Sequence, residues 1–313
     1  MRPAAFMMLA GLAAAAPAAA RTLHAPQEPA CSAPTAASPI YAATAESVAE
    51  TPRGPIGYYR FGQGSPILLI TGFRATIDEW NAAFLDALAR HHSVIVFDNR
   101  GIGLSIPDAQ SFTLADMAGD TEALIKTLGL RHVTLLGWSM GGSVAQQVAI
   151  DGPGGLGRMV LMGAIAPGPA GVPVPPDVLA TLSGRPGVTL ADILALLFPP
   201  AAVPQELHCF THALYRPAGY GHVMVSRAVT AGQAALLADW AKDRPAFGSL
   251  AKVTIHTLIL AGAADTVVSP KNAEVLRHLL PHSRLMIVPQ GGHAMMYQYP
   301  VALAGLIGDF AGP

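Results

Sequence analysis

Two patterns of apolar and polar residues alternate along most of the chain. Short, uninterrupted apolar runs predict strands that are buried on both faces. Between these runs, apolar residues recur every three or four positions, as Trp80, Phe84 and Leu88 do, and this spacing predicts amphipathic helices. The apolar runs lie at residues 66–70, 93–97, 133–136, 159–162, 258–260 and 285–288.

Strands that alternate with helices predict an α/β fold, in which a mostly parallel central sheet has helices on both faces. Residues 47–51 and 57–61, around the turn at 52–54, predict a β-hairpin before the first buried strand. A helix is predicted over 114–128, with Thr113 as its N-cap and Asp116 three residues later. The last helix is predicted near 301–310.

One segment, residues 166–232, interrupts the alternation. It begins with many prolines and continues with helical spacing at Leu190, Ile193, Leu194 and Leu197. Because it lies between two predicted core strands, we expect a helical cap inserted into a core formed by 41–165 and 233–313. Ligands bind at the carboxyl edge of open α/β sheets, so the cap is expected to shape the substrate pocket.

The N-terminus has the pattern of a signal peptide. Arg2 precedes an apolar run at 4–16, and Ala18, Ala19 and Ala20 suit a cleavage site. This predicts a signal peptide over 1–20 and a secreted or periplasmic protein, with no stable membrane insertion after cleavage. A retained anchor is the alternative, but the run is shorter than the roughly 20 apolar residues of a spanning helix. Residues 21–40, rich in Pro and Ala, predict a flexible leader.

Composition narrows the classes of partner. The formal net charge is −1 and only 12% of residues are charged, so neither nucleic acid nor an anionic membrane is an expected partner. The sequence indicates no oligomeric state. Export would place both cysteines, Cys31 and Cys209, where disulfides form, and the sequence leaves open whether they pair or remain thiols.

The strongest chemical signal is Gly137-Trp138-Ser139-Met140-Gly141, which fits the nucleophile-elbow pattern G-x-S-x-G. It stands between a predicted buried strand and a predicted helix, where a sharp turn would present the serine hydroxyl. Ser139 is therefore the candidate nucleophile. The alternative is an ordinary strand-to-helix turn with a capping serine.

A serine hydroxyl needs a base to accept its proton. His293 follows Gly291-Gly292 after the last strand and is the candidate base, and a surface loop histidine is the alternative. Asp265 follows the penultimate strand and is the candidate acid that orients the imidazole. Its alternative role is to cap a turn. The chain order Ser, Asp, His is the order of the α/β-hydrolase triad.

Acyl transfer also needs N–H donors directed at the oxyanion. The backbone N–H groups of Met140 and Phe73 are the candidates, and Gly72 lets the loop after the first buried strand turn. Together with Trp138, Gly72 is a candidate substrate-binding residue beside the nucleophile. An ordinary glycine turn is the alternative for this loop.

The chain resembles the α/β-hydrolase superfamily, in the branch of secreted esterases, lactonases and cofactor-free haloperoxidases. Besides the elbow, the segment from Asp98 to Ser105 is similar to that branch's D-x-R-G-x-G-x-S loop. Gly292-His293 and the Gly-x-x-Asp segment ending at Asp265 are similar too. The chain departs from the family at Thr71, where histidine is frequent, and at His256, where proline is frequent. We interpret Asp98 and Arg100 as loop structure.

These residues predict a serine hydrolase that cleaves a small-molecule ester or lactone through an acyl-enzyme, without cofactor or metal. Perhydrolysis by the same triad, as in cofactor-free haloperoxidases, is one alternative, and a non-catalytic ligand-binding protein is another. Amide or carbon–carbon hydrolysis is also compatible. In the cap, His208, Cys209 and His212 lie close in sequence and could hold a metal, although a packed or solvated helix is the favoured interpretation.

Overall fold

A nine-stranded sheet forms the centre of the computed structural model, which describes residues 20–25, 34–43, 45–106, 111–152, 154–221 and 223–313. The strand order is β1-β9-β8-β7-β6-β4-β5-β3-β2. The pairs β2–β3 and β3–β5 are antiparallel, and the other pairs are parallel. The strands are β1 (Arg21–Thr22), β2 (Ser47–Thr51), β3 (Gly54–Phe61), β4 (Ser65–Ile70), β5 (His92–Phe97), β6 (Val133–Trp138), β7 (Leu156–Met162), β8 (His256–Gly262) and β9 (Ser283–Val288).

Helices cover both faces of the sheet and form the cap. They are α1 (Ala82–Ala89), α2 (Leu114–Thr127), α3 (Met140–Asp151), α4 (Pro176–Leu182), α5 (Leu190–Leu197), α6 (Val203–Ala213), α7 (Arg227–Trp240), α8 (Arg244–Leu250), α9 (Lys271–Leu279), α10 (Met295–Gln298) and α11 (Pro300–Ala311). The predicted α/β fold with a mostly parallel sheet is confirmed.

The predicted elements lie close to the observed ones. The hairpin is β2 and β3, although β3 begins at Gly54, before the predicted 57–61. Helix α2 begins at Leu114 with the expected capping box between Thr113 and Asp116. The strands β5 and β6 are buried along their whole length, as continuous apolar runs predict.

An ion-pair network holds the loop that follows β5. Arg100 donates two hydrogen bonds of 2.6 Å to the carboxylate of Asp120, from Nε to Oδ2 and from Nη2 to Oδ1. Arg53 donates a further bond of 2.8 Å from its Nε to Oδ1. Because Asp120 is buried, its negative charge would be unfavourable without the hydrogen bonds from these two arginines. Arg100 therefore has a structural partner, as the loop interpretation expects.

Residues 166–232, the predicted cap, contain α4, α5, α6 and the beginning of α7. The predicted boundary at 232 falls inside α7, which continues to Trp240. The sequence offered no stop signal there, because an isolated Gly232 within a helix is tolerated. The cap is therefore joined to the core through a continuous helix.

Two described parts of the predicted leader pack against the core. β1 pairs with β9, where Arg21 is opposite Met286 and Thr22 is opposite Ile287. Ile40 is fully buried, and its carbonyl accepts a 2.9 Å hydrogen bond from the hydroxyl of Tyr215. At these positions the leader is ordered, which differs from the expectation of a flexible segment.

The predicted signal peptide lies outside the described residues, apart from Ala20. Within the described part of the chain, no helix is long and apolar enough to cross a membrane. Cys209 is buried on α6. Cys31, the other cysteine of the sequence, lies outside the described residues.

Glycines let β6, α3 and the end of β4 pack backbone against backbone. A Cβ atom at Gly141 would lie 2.3 Å from Ile70 O and 2.7 Å from Thr71 O. At Gly137 it would lie 2.2 Å from Gly141 O. Backbone atoms cannot rotate away as a side chain can, so a larger residue at either position would move a whole element.

The glycine packing gives a stability prediction. Gly141→Ala should destabilise the fold by about 2 kcal/mol, the usual scale for overpacking a tight contact. The matched control is Gly248→Ala on α8, where a Cβ atom would meet nothing within 4 Å. This control should be neutral or stabilising by up to about 1 kcal/mol, because alanine favours helix. Urea unfolding measures both, and equal effects would contradict the packing account.

Candidate active site

Ser139 stands at the sharp turn between β6 and α3. Its backbone has φ of 55° and ψ of −122°, a conformation that residues with a Cβ atom rarely adopt. Ser139 N donates to Met162 O over 2.9 Å, and Gly142 N donates to Ser139 O over 2.9 Å. These bonds hold the turn at the carboxyl edge of the sheet, where the elbow pattern places it.

His293 and Asp265 form a buried pair at the same edge. The distance from His293 Nδ1 to Asp265 Oδ2 is 2.8 Å, and the two side chains are 3% and 2% exposed. An ionised carboxylate can only accept hydrogen bonds, so a neutral imidazole in this contact carries its proton on Nδ1. Its lone pair is then on Nε2, and the ring can accept a proton there.

The other carboxylate oxygen of Asp265 is held by the backbone. Oδ1 accepts hydrogen bonds of 2.9 Å from Val267 N and from Val268 N. These two donors fix the carboxylate so that Oδ2 remains directed at His293. The orientation of the acid therefore depends on the turn after β8 and not on a side-chain rotamer alone.

Trp138 joins the elbow to the histidine loop. Its indole Nε1 donates a 3.0 Å hydrogen bond to His293 O. Its ring also packs against the imidazole, with centroids 5.6 Å apart and planes at 37°. The residue before Ser139 thus positions both the backbone and the ring of His293.

Ser139 and His293 line the same cavity. Within the described residues, no hydrogen bond joins the serine hydroxyl to the imidazole. Such contacts are often long before a substrate binds and shorten in the complex. The geometry thus brings together the three predicted residues, with Asp265 and His293 already bonded.

The candidate oxyanion donors lie beside the nucleophile. Met140 is the first residue of α3, and Phe73 follows Gly72 in the loop after β4. In the described ranges neither of these backbone N–H groups donates to a protein acceptor. A Cβ atom at Gly72 would lie 3.2 Å from Ser139 Cβ, so glycine allows this loop to approach the serine closely.

The cavity over Ser139 has a volume of about 320 Å³. Its walls come from the loop after β4, from the elbow and from the cap. The cap supplies apolar side chains, which suit an apolar part of a substrate. The lining residues are Gly72, Phe73, Arg74, Thr76, Glu79, Trp138, Ser139, Leu182, Ile193, Leu197, Val223, Met224, Val225 and His293.

Four residues at the site were not predicted from the sequence. Arg74, Thr76 and Glu79 bring polar groups into the cavity. They belong to no recognised motif, and polar residues in a loop are usually in contact with solvent alone. The fourth, Gly163, has φ of 55°, and a Cβ atom there would lie 3.3 Å from His293 Nδ1. Its position directly after a core strand is the signal that could have revealed it.

The side chain of Asp98 lies close to the cavity, but its hydrogen bonds hold the surrounding loops. Its Oδ1 accepts from Ile77 N over 3.0 Å, and its Oδ2 accepts from the hydroxyl of Tyr220 over 2.8 Å. Burial raises the pKa of Asp98 to about 7, although both hydrogen bonds lower it. The Tyr220 contact ties the cap to the loop after β5, which agrees with a structural role.

The remaining candidates lie elsewhere. His208 and His212 are exposed on α6, and Cys209 between them is buried. Among the described residues, no group of three or more His, Cys, Asp or Glu side chains could hold a metal ion. His256 and His282 pair with each other at the opposite end of β8, with ring centroids 5.6 Å apart.

Known relatives share this architecture. The family model described as alpha/beta hydrolase fold matches residues 65–300. The chain is 25% identical over 260 residues to the AB hydrolase superfamily protein YisY of Bacillus subtilis, which covers 80% of this chain and 92% of that protein. It is 35% identical over 127 residues to the non-heme haloperoxidase of Rhodococcus erythropolis, which covers 38% of this chain and 46% of that protein.

A solved structure agrees with these relatives. A hydrolase from Pseudomonas aeruginosa PA01 superposes with a TM-score of 0.69 and 27% identity, covering 86% of this chain and 98% of that one. Since the family model spans most of the sheet and the whole site described above, the chain belongs to the α/β-hydrolase fold family.

Proposed function

We propose that this hydrolase cleaves carboxylic esters or lactones through an acyl-enzyme formed on Ser139. The observation that carries the proposal is the buried hydrogen-bonded pair of His293 and Asp265, in which His293 lines the same cavity as Ser139, a serine in a strained turn. A non-catalytic binding protein would need none of these three groups in this arrangement. The relatives described as hydrolases add support for bond cleavage.

The reaction begins with proton transfer. As Ser139 Oγ attacks the carbonyl carbon, His293 Nε2 takes the hydroxyl proton. The carbonyl oxygen becomes an oxyanion and accepts hydrogen bonds from Met140 N and Phe73 N. When the intermediate collapses, His293 returns the proton to the leaving alcohol, and the acyl group remains on Ser139.

Water then completes the cycle. His293 removes a proton from water as the water oxygen attacks the acyl carbon. The bond from this carbon to Ser139 Oγ then breaks, the acid leaves, and His293 returns the proton to Oγ. Asp265 stabilises the imidazolium that forms in each half-reaction and keeps its Nδ1 proton in place. The bonds from Val267 N and Val268 N hold that carboxylate still throughout, so its position does not depend on the substrate.

Perhydrolysis by the same triad is the second candidate. It is favoured by the similarity to the Rhodococcus haloperoxidase. Hydrogen peroxide would replace water in attacking the acyl-enzyme, and the product would be a peracid with free Ser139. The peracid could then oxidise bromide to hypobromite and return to the carboxylic acid.

The triad proposal predicts severe effects of single substitutions. Ser139→Ala should abolish labelling by a fluorophosphonate probe, because the probe reacts with an activated hydroxyl. His293→Ala should reduce labelling almost as much, since no base remains. Asp265→Asn should lower kcat on the order of 10⁴-fold if the imidazole tautomer is wrong. The double variant Ser139→Ala/His293→Ala should be no worse than either single variant.

A matched control separates chemistry from folding. His282→Ala removes an exposed imidazole at the opposite end of β8 and should leave labelling and esterase activity unchanged. Circular dichroism should show each variant folded. A folded His293→Ala protein with full esterase activity would exclude this triad.

Perhydrolysis, the second candidate function, can be tested by a separate measurement. Bromination of monochlorodimedone, with acetate, bromide and hydrogen peroxide present, should require Ser139 if the peracid forms on the acyl-enzyme. The Ser139→Ala variant should then show only the background rate. Bromination that persists at the wild-type rate in this variant would contradict a triad-dependent peracid.

We also propose that the protein is exported, on the basis of Arg2 and the apolar run at 4–16. Expression of the full chain in a bacterium should yield secreted or periplasmic protein that begins at or near Arg21, as N-terminal sequencing would report. Recovery of protein that begins at Met1 from the membrane fraction would contradict cleavage and favour an anchor.

A further inference from the structure

The cavity over Ser139 has one polar wall. It comes from residues 71–80, the loop between β4 and α1, and the polar side chains on it are Arg74, Thr76 and Glu79. The facing residues of the cap, such as Leu182 and Leu197, are apolar. A substrate that fills this space therefore meets polar groups on one side and apolar groups on the other.

The polar side chains of this wall differ in what they already bind. Arg74 Nη1 donates a 2.9 Å hydrogen bond to Leu182 O, and the hydroxyl of Thr76 donates to Asp78. The carboxyl group of Glu79 has no hydrogen-bond partner among the described residues, although its side chain lines the cavity. A polar group directed into a cavity without a protein partner is free to bind a ligand.

We propose that Glu79 is a specificity-determining residue, whose carboxyl group hydrogen-bonds a polar group of the substrate while the apolar part packs against the cap. This inference rests on the proposed function, because it assumes that an ester or lactone is cleaved at Ser139. It concerns how Glu79 binds that substrate. It assigns the substrate class as esters or lactones with a hydrogen-bond acceptor, such as an ether or hydroxyl oxygen, away from the scissile bond.

The surroundings of Glu79 determine its charge. Glu79 is exposed at the cavity surface, but the protein groups packed around the cavity desolvate its carboxyl group and raise its pKa to about 8. The nearby carboxylates of Asp78 and Asp98 also raise this pKa, and Arg74 lowers it. From α10, the hydroxyl of Tyr297 donates a 2.9 Å hydrogen bond to the Glu79 carbonyl. Further groups near this wall are Glu206, which faces Tyr297 from α6, and His293 on the cavity lining.

Glu79 therefore changes its role with pH. Below a pH of about 8 the carboxyl group is protonated and can donate a hydrogen bond to an acceptor. Above that pH it is an anion, which attracts a cationic group and repels a carboxylate. Because Glu79 is exposed at the cavity surface, solvent weakens this interaction, and one charge at contact distance changes affinity by about fivefold to tenfold.

The test compares three esters that have the same scissile bond and chain length. Their far ends carry a methyl ether, a trimethylammonium group or a carboxylate. The ratio of kcat/KM for the cationic ester to that for the anionic ester cancels ionisations common to both reactions, including that of His293. From pH 7 to pH 9 this ratio should rise about tenfold in the wild type, with a midpoint near 8.

Three variants sharpen the comparison. In Glu79→Gln the ratio should not change with pH, because the amide does not ionise. Asp78→Asn should move the midpoint to lower pH, because it removes a negative charge that raises the pKa of Glu79. Glu206→Gln is the matched control: burial raises the pKa of Glu206 to about 7, but its side chain is outside the cavity lining, so the ratio should rise as in the wild type.

At pH 7 the methyl ether ester gives an independent readout. Glu79→Leu should raise KM for this ester several-fold relative to an alkyl ester of equal length, with little change in the ratio of kcat values. A general structural defect would affect both esters equally. A constant wild-type ratio between pH 7 and pH 9, or a rise that persists in Glu79→Gln, would overturn the assignment.

Failure of the proposed function can be separated from failure of this inference. The cationic and anionic carboxylic acids that correspond to the two esters can be titrated into Ser139→Ala by calorimetry, which requires no turnover. Preferential binding of the cationic acid that grows from pH 7 to pH 9 with a midpoint near 8, and that Glu79→Gln abolishes, supports the role of Glu79 even if no ester is hydrolysed. Equal binding of both acids across this range would overturn it even if esters are hydrolysed.

Discussion

The turn at Ser139 is the constraint on which the site depends. A backbone in this conformation costs about 1–3 kcal/mol, so the surrounding structure must compensate for the strain. Close packing of β6, α3 and β4 does so, and it is possible because Gly137 and Gly141 have no side chains. The same packing brings the loop after β4, with its candidate oxyanion donor at Phe73, to the side of the serine.

The cap and the catalytic loops form one hydrogen-bonded assembly. At the end of α5, Leu197 O accepts a 3.1 Å bond from Ala294 N, next to His293. Leu196 O accepts a 3.1 Å bond from the hydroxyl of Thr266, next to Asp265. These bonds link the predicted cap to the loops that carry Asp265 and His293, in addition to the wall of the cavity that it provides.

The sequence predicted most of the sheet because continuous apolar runs and glycine-bounded turns are local signals. It also predicted the positions of Ser139, Asp265 and His293, since each follows a core strand at the carboxyl edge. β1 escaped prediction because a two-residue strand has no periodicity. Glu79 was not predicted because it lines a cavity formed by segments that are distant in sequence, and such a cavity leaves no local pattern.

The bond from Trp138 Nε1 to His293 O has a consequence for motion. It links the residue before Ser139 to the backbone of His293, so thermal displacement of one element carries the other with it. Fluctuations in the serine–imidazole distance are then smaller than the fluctuations of either loop. Amide hydrogen exchange at the elbow and at the histidine loop would consequently reflect a single cooperative opening rather than two independent ones.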